Sequence, residues 1–222
     1  MLTTKTDVVP PRGAPPLCLD PHHWVNHPWS HRLRAATAEL HHQAENLLNI
    51  PSLIVDRSSY AATLQRFHGI YAPLERSLSH QRGWDEFGID LTDRSHVARI
   101  ARDLTALGSD PCPGEAPDTF GITSFSHALG SLYVMEGSTL GGRIILRHLE
   151  TQAIDIPASA MSFFAGHGAE TGSMWRSFLA TLDAFGELNP ASCRAVQEGA
   201  QRTFQAVIGW FDPFCTQMRH RP

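Results

Sequence analysis

Residues 127–150 read HALGSLYVMEGSTLGGRIILRHLE. Apolar side chains recur here without the strict alternation of a strand, and Gly130, Tyr133, Gly137 and Gly141 fall at steps of 3, 4 and 4. That spacing lines them up on one face of a single long helix. Each glycine inside a helix costs roughly 0.5–1 kcal/mol relative to alanine, so Gly130, Gly137, Gly141 and Gly142 together cost roughly 2–4 kcal/mol. Net stabilities are only about 5–15 kcal/mol, so something requires bare backbone along this face. Two readings are open. A neighbouring helix packs at close range, or a flat, bulky ligand lies against the backbone with a bend at Gly141-Gly142. Glu136 and Ser138 flank the face and are placed to join a polar network.

The rest of the chain repeats the helical period. Leu33, Ala36, Thr37, Leu40, Ala44, Leu47 and Leu48 form an apolar stripe, with Ser30 as the expected N-cap and Pro51 as the stop. Tyr60, Leu64, Phe67, Tyr71, Leu74 and Leu78 give the clearest pattern. Further helices are expected over 94–107, with Val97, Ile100, Ala101 and Leu104 inward, and over 174–185 and 191–214, separated by the breaker-rich loop 108–118. No strand-period run and no internal repeat accompany them. The expected class is all-α, a single-domain multi-helix bundle over 30–214. Residues 1–29, with six of the fifteen prolines, read as an irregular or disordered arm, and 215–222 as a C-terminal tail.

Composition narrows the function. With 222 residues the chain is long enough for one substantial core. A net charge of −4 argues against nucleic-acid binding. Of the 18 basic residues only Lys5 is lysine, so each arginine is a potential bidentate ligand for carboxylates. Cys18, Cys112, Cys193 and Cys215 are far apart and read as reduced thiols. No apolar leader and no membrane-length apolar run are seen, which predicts a cytoplasmic protein with no membrane partner.

In the first helix, residues 33–46 read LRAATAELHHQAEN. His41 shares the apolar stripe with Thr37, Ala44 and Leu48, whereas His42 lies with Glu39, Glu45 and Asn46, so His41 is expected inward and His42 outward. A core histidine is the plain reading. Glu45 follows His41 by four residues, the spacing at which a carboxylate can fix the ring of a metal-ligating imidazole. Glu39-x-x-His42 also matches half of a di-iron bundle signature, but the nearest second copy is Asp93-x-x-His96 at the start of its helix.

Together these segments resemble the haem oxygenases. LRAATAELHHQAEN is similar to the family's proximal helix, LYVMEGSTLGGRII to the distal helix of its bacterial members, and 60–75 and 173–185 to further family segments; the likeness spans about 30–212. The resemblance implies a haem-oxygenase-like bundle with His41 as the axial ligand of haem iron and Glu45 bonded to its far nitrogen. Gly137 and Gly141 would bring the distal backbone over the haem, with Gly142 beside them. Arg34, Arg176 and Tyr133 would meet the propionates. It implies oxidative cleavage of haem by O2 and reductant to biliverdin, Fe2+ and CO, with ferredoxin or an NADPH-dependent reductase as electron donor. Members with Gly-Ser in this motif extend the likeness to suppliers of bilin to bacteriophytochromes. Ser138 is a departure: many members carry aspartate there, anchoring the waters that deliver protons. The alternatives are a non-catalytic haem-binding or storage protein and a non-haem di-iron oxygenase on the same scaffold.

Overall fold

The computed structural model describes residues 28–111, 114–117, 119–152 and 154–219. Cys18 and Cys112, and all but the end of the expected 1–29 arm, lie outside the described residues. Among the described residues eight α-helices follow one another: α1 Trp29–Leu48, α2 Ile50–Leu53, α3 Arg57–Ser79, α4 His96–Leu107, α5 Phe125–Thr151, α6 Ser162–Ala165, α7 Thr171–Leu188 and α8 Cys193–Arg219. No strand occurs among the described residues, and none of their helices is long and apolar enough to cross a membrane.

Local signals set the helix starts. Asp56 and Ser59 form a reciprocal capping box at α3, Asp56 accepting from the Ser59 amide at 2.6 Å and Ser59 Oγ from the Asp56 amide at 2.9 Å. Ser95 and Ser124 cap α4 and α5. Three boundaries differ from the sequence reading. Ser30 is no cap: it lies inside the first turn of α1, and its amide and hydroxyl both donate to Asp183 of α7, at 2.7 and 3.0 Å. Pro51 does not end α1, which stops at Asn49 with φ of 21°; the proline opens α2. The expected tail from 215 is helical to Arg219, with Cys215 fully buried.

A proline lies inside this last helix. A proline inside a helix crowds the carbonyl four residues back and leaves it without its amide partner. Both interior prolines, Pro73 and Pro213, follow a glycine by four residues, Gly69 and Gly209. The Gly69 carbonyl freed in α3 accepts instead from the Ala116 amide at 2.8 Å.

The helix pairs fix where the site lies. α1 and α8 run parallel, tied by Arg32 to Cys193, Ala36 to Gln201 and Leu47 to Arg219. α3 and α4 run antiparallel, tied by Arg57 to the Leu107 carbonyl and by Glu75 to the amides of His96 and Val97. α5 crosses α8 at a double glycine. A Cβ on Gly130 would overlap the Val196 carbonyl, and one on Gly199 would overlap the His127 carbonyl. The core is aliphatic and aromatic, with Tyr60, Phe120, Phe178 and Phe211 among its largest fully buried side chains.

Candidate functional site

The four glycines of α5 divide by neighbour. Gly130 is taken by α8. Gly142 is buried, and a Cβ there would stand 2.8 Å from the Phe164 carbonyl, so its bare backbone faces α6 and is a packing feature. Gly141 has nothing within 4 Å of its Cβ position, and Gly137 meets only the edge of the Trp175 ring at 3.6 Å. Close packing therefore accounts for Gly130 and Gly142, while Gly137 and Gly141 are left open.

The open stretch at Gly137 and Gly141 begins one turn beyond the place where α5 meets α1. There the buried Tyr133 phenol interacts with the Thr37 hydroxyl and with the Arg34 guanidinium, while its ring stands 5.4 Å from Trp175 of α7. Burial raises the Tyr133 pKa, and Thr37 and Arg34 partly offset this. One turn beyond Thr37, α1 presents His41. Contrary to its expected inward position, the side chain is 57% exposed. The buried stripe of α1 runs through Leu33, Thr37 and Ala44. His41 sits at its edge, with its ring edge-on to Phe204 of α8 at 5.8 Å. Its Nδ1 faces Glu45 Oε2 at 3.4 Å, which leaves Nε2 for a ligand. His42 is exposed as expected, and so is Glu39, which accepts from Gln43 at 2.9 Å.

Arg34 on α1 and Arg176 on α7 are exposed, and among the described residues neither makes an ion pair. The site thus offers an imidazole braced by a carboxylate, bare backbone on the open stretch of α5, and two unpaired guanidinium groups. This set fits a flat metallated ligand with anionic edge groups. The di-iron arrangement finds no support: Asp93 is exposed while His96 is buried, and among the described residues no three His, Cys, Asp or Glu side chains converge on a metal position.

The sequence reading named Ser138 but missed its partners. Ser138 Oγ stands 3.1 Å from Tyr71 Oη and 3.3 Å from His96 Nε2, and it donates to the Met135 carbonyl at 2.7 Å. His96 is 2% exposed, and its Nδ1 lies 3.1 Å from the Arg94 carbonyl. The ring also interacts with the Met135 carbonyl, so a backbone acceptor faces it from two sides. Ser138 donates to Met135, so its oxygen accepts from Tyr71, and the serine links the phenol to the His96 ring. Burial holds the ring neutral, pushing the His96 pKa down to about 3, with Arg99 and His167 acting the same way. Burial raises the Tyr71 phenol to about 12.

A pH consequence follows from His96. Its native pKa lies below the ordinary 6.5, so between these values the unfolded chain binds the extra proton and stability falls on acidification. This group alone should remove on the order of 2 kcal/mol between pH 7 and pH 5. Denaturant titrations at the two pH values should show a smaller loss for His96→Gln than for wild type. An equal loss overturns the buried neutral assignment.

Behind Ser138 lies a second cluster, in which the sequence had placed Glu136 but not its partners. Glu136, fully buried, pairs with Arg94 at 2.6 Å, and His167 Nδ1 accepts from Arg99 Nη2 at 3.0 Å. His96, Arg99 and Asp103 are all buried at steps of 3 and 4 on α4, a polar stripe that charge alone would assign to solvent.

Comparison with known proteins gives concordant matches. The family model described as heme oxygenase matches residues 27–110 and 116–213. A heme oxygenase of Xanthomonas campestris pv. campestris is 33% identical over 157 residues, covering 68% of this chain and 87% of the relative. Heme oxygenase PigA of Pseudomonas aeruginosa is 29% identical over 178 residues, 79% of this chain and 87% of the relative. In fold, the NO- and CO-bound heme oxygenase of Neisseria meningitidis superposes with a TM-score of 0.71 at 21% identity, over 85% of this chain and 92% of that one.

Proposed function

The chain belongs to the haem oxygenase family, and from that premise we propose that it cleaves haem with O2 and reductant to biliverdin, Fe2+ and CO. The observation that carries the residue-level reading is the pairing of His41 and Glu45 on α1 with the open glycines of α5. His41 Nε2 is the group to hold the iron, with Glu45 fixing the ring through Nδ1. Arg34 and Arg176, with Tyr133, are the groups to meet the propionates. Bound haem supplies the redox chemistry and is itself the molecule consumed.

The chain's own work is orientation and proton supply. Gly137 and Gly141 let backbone come close on the oxygen side, where any Cβ would intrude. Ser138 holds a proton at Oγ and takes a replacement from Tyr71, so a serine with two buried partners stands where many members use aspartate. In its fuller form the proposal gives the enzyme a separate electron donor, such as ferredoxin or an NADPH-dependent reductase, a cytoplasmic setting and a bacteriophytochrome as receiver of the bilin.

The test is absorption spectroscopy of the haem-loaded protein, reduced with ascorbate or a reductase first without and then with air. Loss of the haem bands with appearance of a bilin is expected. Stable haem bands in air would favour the non-catalytic binder. Ser138→Ala should bind haem as wild type does yet turn over about a hundredfold more slowly, the low end of what one proton-transfer group contributes.

A further inference from the structure

Residues 162–167 lie along α5 as a strap. Its near end is fastened to α4, where the Asp103 carboxylate accepts from the Ser162 amide at 2.8 Å, the Ser162 hydroxyl at 2.6 Å and the Phe163 amide at 2.7 Å. Its far end is fastened by Arg99 to His167. Between them the strap touches α5 three times. The Phe164 carbonyl lies against Gly142, a Cβ on Gly166 would stand 3.4 Å from the Thr139 side chain, and His167 Nε2 faces Glu136 at 3.8 Å.

Positions 136, 139 and 142 centre on one side of α5. At about 100° per residue, 137 and 141 centre about 180° away. The strap therefore backs the helix directly opposite its open glycine face. We propose that Glu136 and His167 are positioning residues for that face: with Arg94 and Arg99 they form the joint that sets where Gly137, Ser138 and Gly141 stand. What the face is for rests on the haem reading above; that the joint positions it does not.

The joint has play. Among the described residues Glu136 Oε1, His167 Nε2 and Arg99 Nη1 are buried without a hydrogen-bond partner. Since His167 Nδ1 accepts from Arg99, its neutral ring carries the proton on Nε2, aimed at the carboxylate. Moving α5 back by about 1 Å would bring this pair to a normal hydrogen-bond length. Burial, then Arg99 and Arg94, lower the His167 pKa to about 4, so near neutral pH the ring is a donor and not a third cation beside two arginines.

Amide hydrogen exchange on the haem-free protein tests this. In His167→Leu, exchange over 136–142 should accelerate about tenfold while 125–132, held against α8, stays unchanged. His167→Gln should restore wild-type exchange, because its amide accepts from Arg99 and donates to Glu136. Glu136→Gln keeps the volume, loses the Arg94 ion pair and should accelerate the same peptide if His167→Leu proves insoluble. Unchanged exchange at 136–142, or equal acceleration along α5 and α8 in the Leu and Gln variants alike, overturns the proposal. A wild-type protein that bound no haem would fail the haem reading and leave the exchange result standing.

Discussion

Gly130→Ala is expected to destabilise the protein by about 3 kcal/mol or more. The added methyl meets backbone on all sides: it overlaps the Val196 carbonyl and stands 2.8 Å from the Ala200 amide. No rotamer relieves this, because neither atom belongs to a side chain. The α5–α8 crossing must open, and Gly199, reciprocally seated on His127, opens with it. Overpacking typically costs about 1–3 kcal/mol where side chains can shift, and here the upper end or beyond is expected. That is a large share of a net stability of about 5–15 kcal/mol. Gly141→Ala is the control of opposite sign. Nothing lies within 4 Å of its Cβ position, so alanine should stabilise the haem-free protein by about 0.5–1 kcal/mol through helix propensity while intruding on the open face. Thermal melts of the two variants check both signs. A Gly130→Ala protein as stable as wild type would mean that α5 and α8 do not cross at these residues.

These two glycines show where sequence reading succeeds and where it stops. Spacing alone placed Gly130, Gly137 and Gly141 on one face and argued that bare backbone was needed there. It could not say which neighbour each one meets, because that depends on how far α8 extends along α5, a tertiary fact. The same limit governs His41. Periodicity put it on the stripe of Leu33, Thr37 and Ala44, but the side chain lies at the edge of that stripe, 57% exposed, with its ring edge-on to Phe204. The buried polar residues were the hardest to read. His96, Arg99 and Asp103 follow helical steps as faithfully as Ile100 and Leu104 do. Charged types on such a face count as solvated until their partners are known, and the partners Ser162, His167 and Ser138 come from distant parts of the chain.

His41→Ala is the second large effect, and it bears on function. Removing the imidazole takes away the one side chain of α1 whose ring is both exposed at the site and braced by a carboxylate, Glu45 at 3.4 Å. The fold should survive, since a side chain 57% exposed with one ring contact contributes little packing. The haem complex should lose its histidine-ligated absorption spectrum, and turnover should fall below detection. His42 cannot substitute, because its side chain leaves the helix about 100° away. Glu45→Ala should act more mildly, lowering haem affinity or activity about 10–100-fold, as loss of a group that orients a ligand does. The order of the two effects matters as much as their size. If Glu45→Ala were as severe as His41→Ala, the carboxylate itself would be the ligand. If His41→Ala kept the wild-type spectrum, the iron would be held elsewhere, and the role assigned to the open face of α5 would lose its anchor. Added imidazole should restore the spectrum of His41→Ala but not of a protein whose site has collapsed, which separates loss of the ligand from loss of the fold.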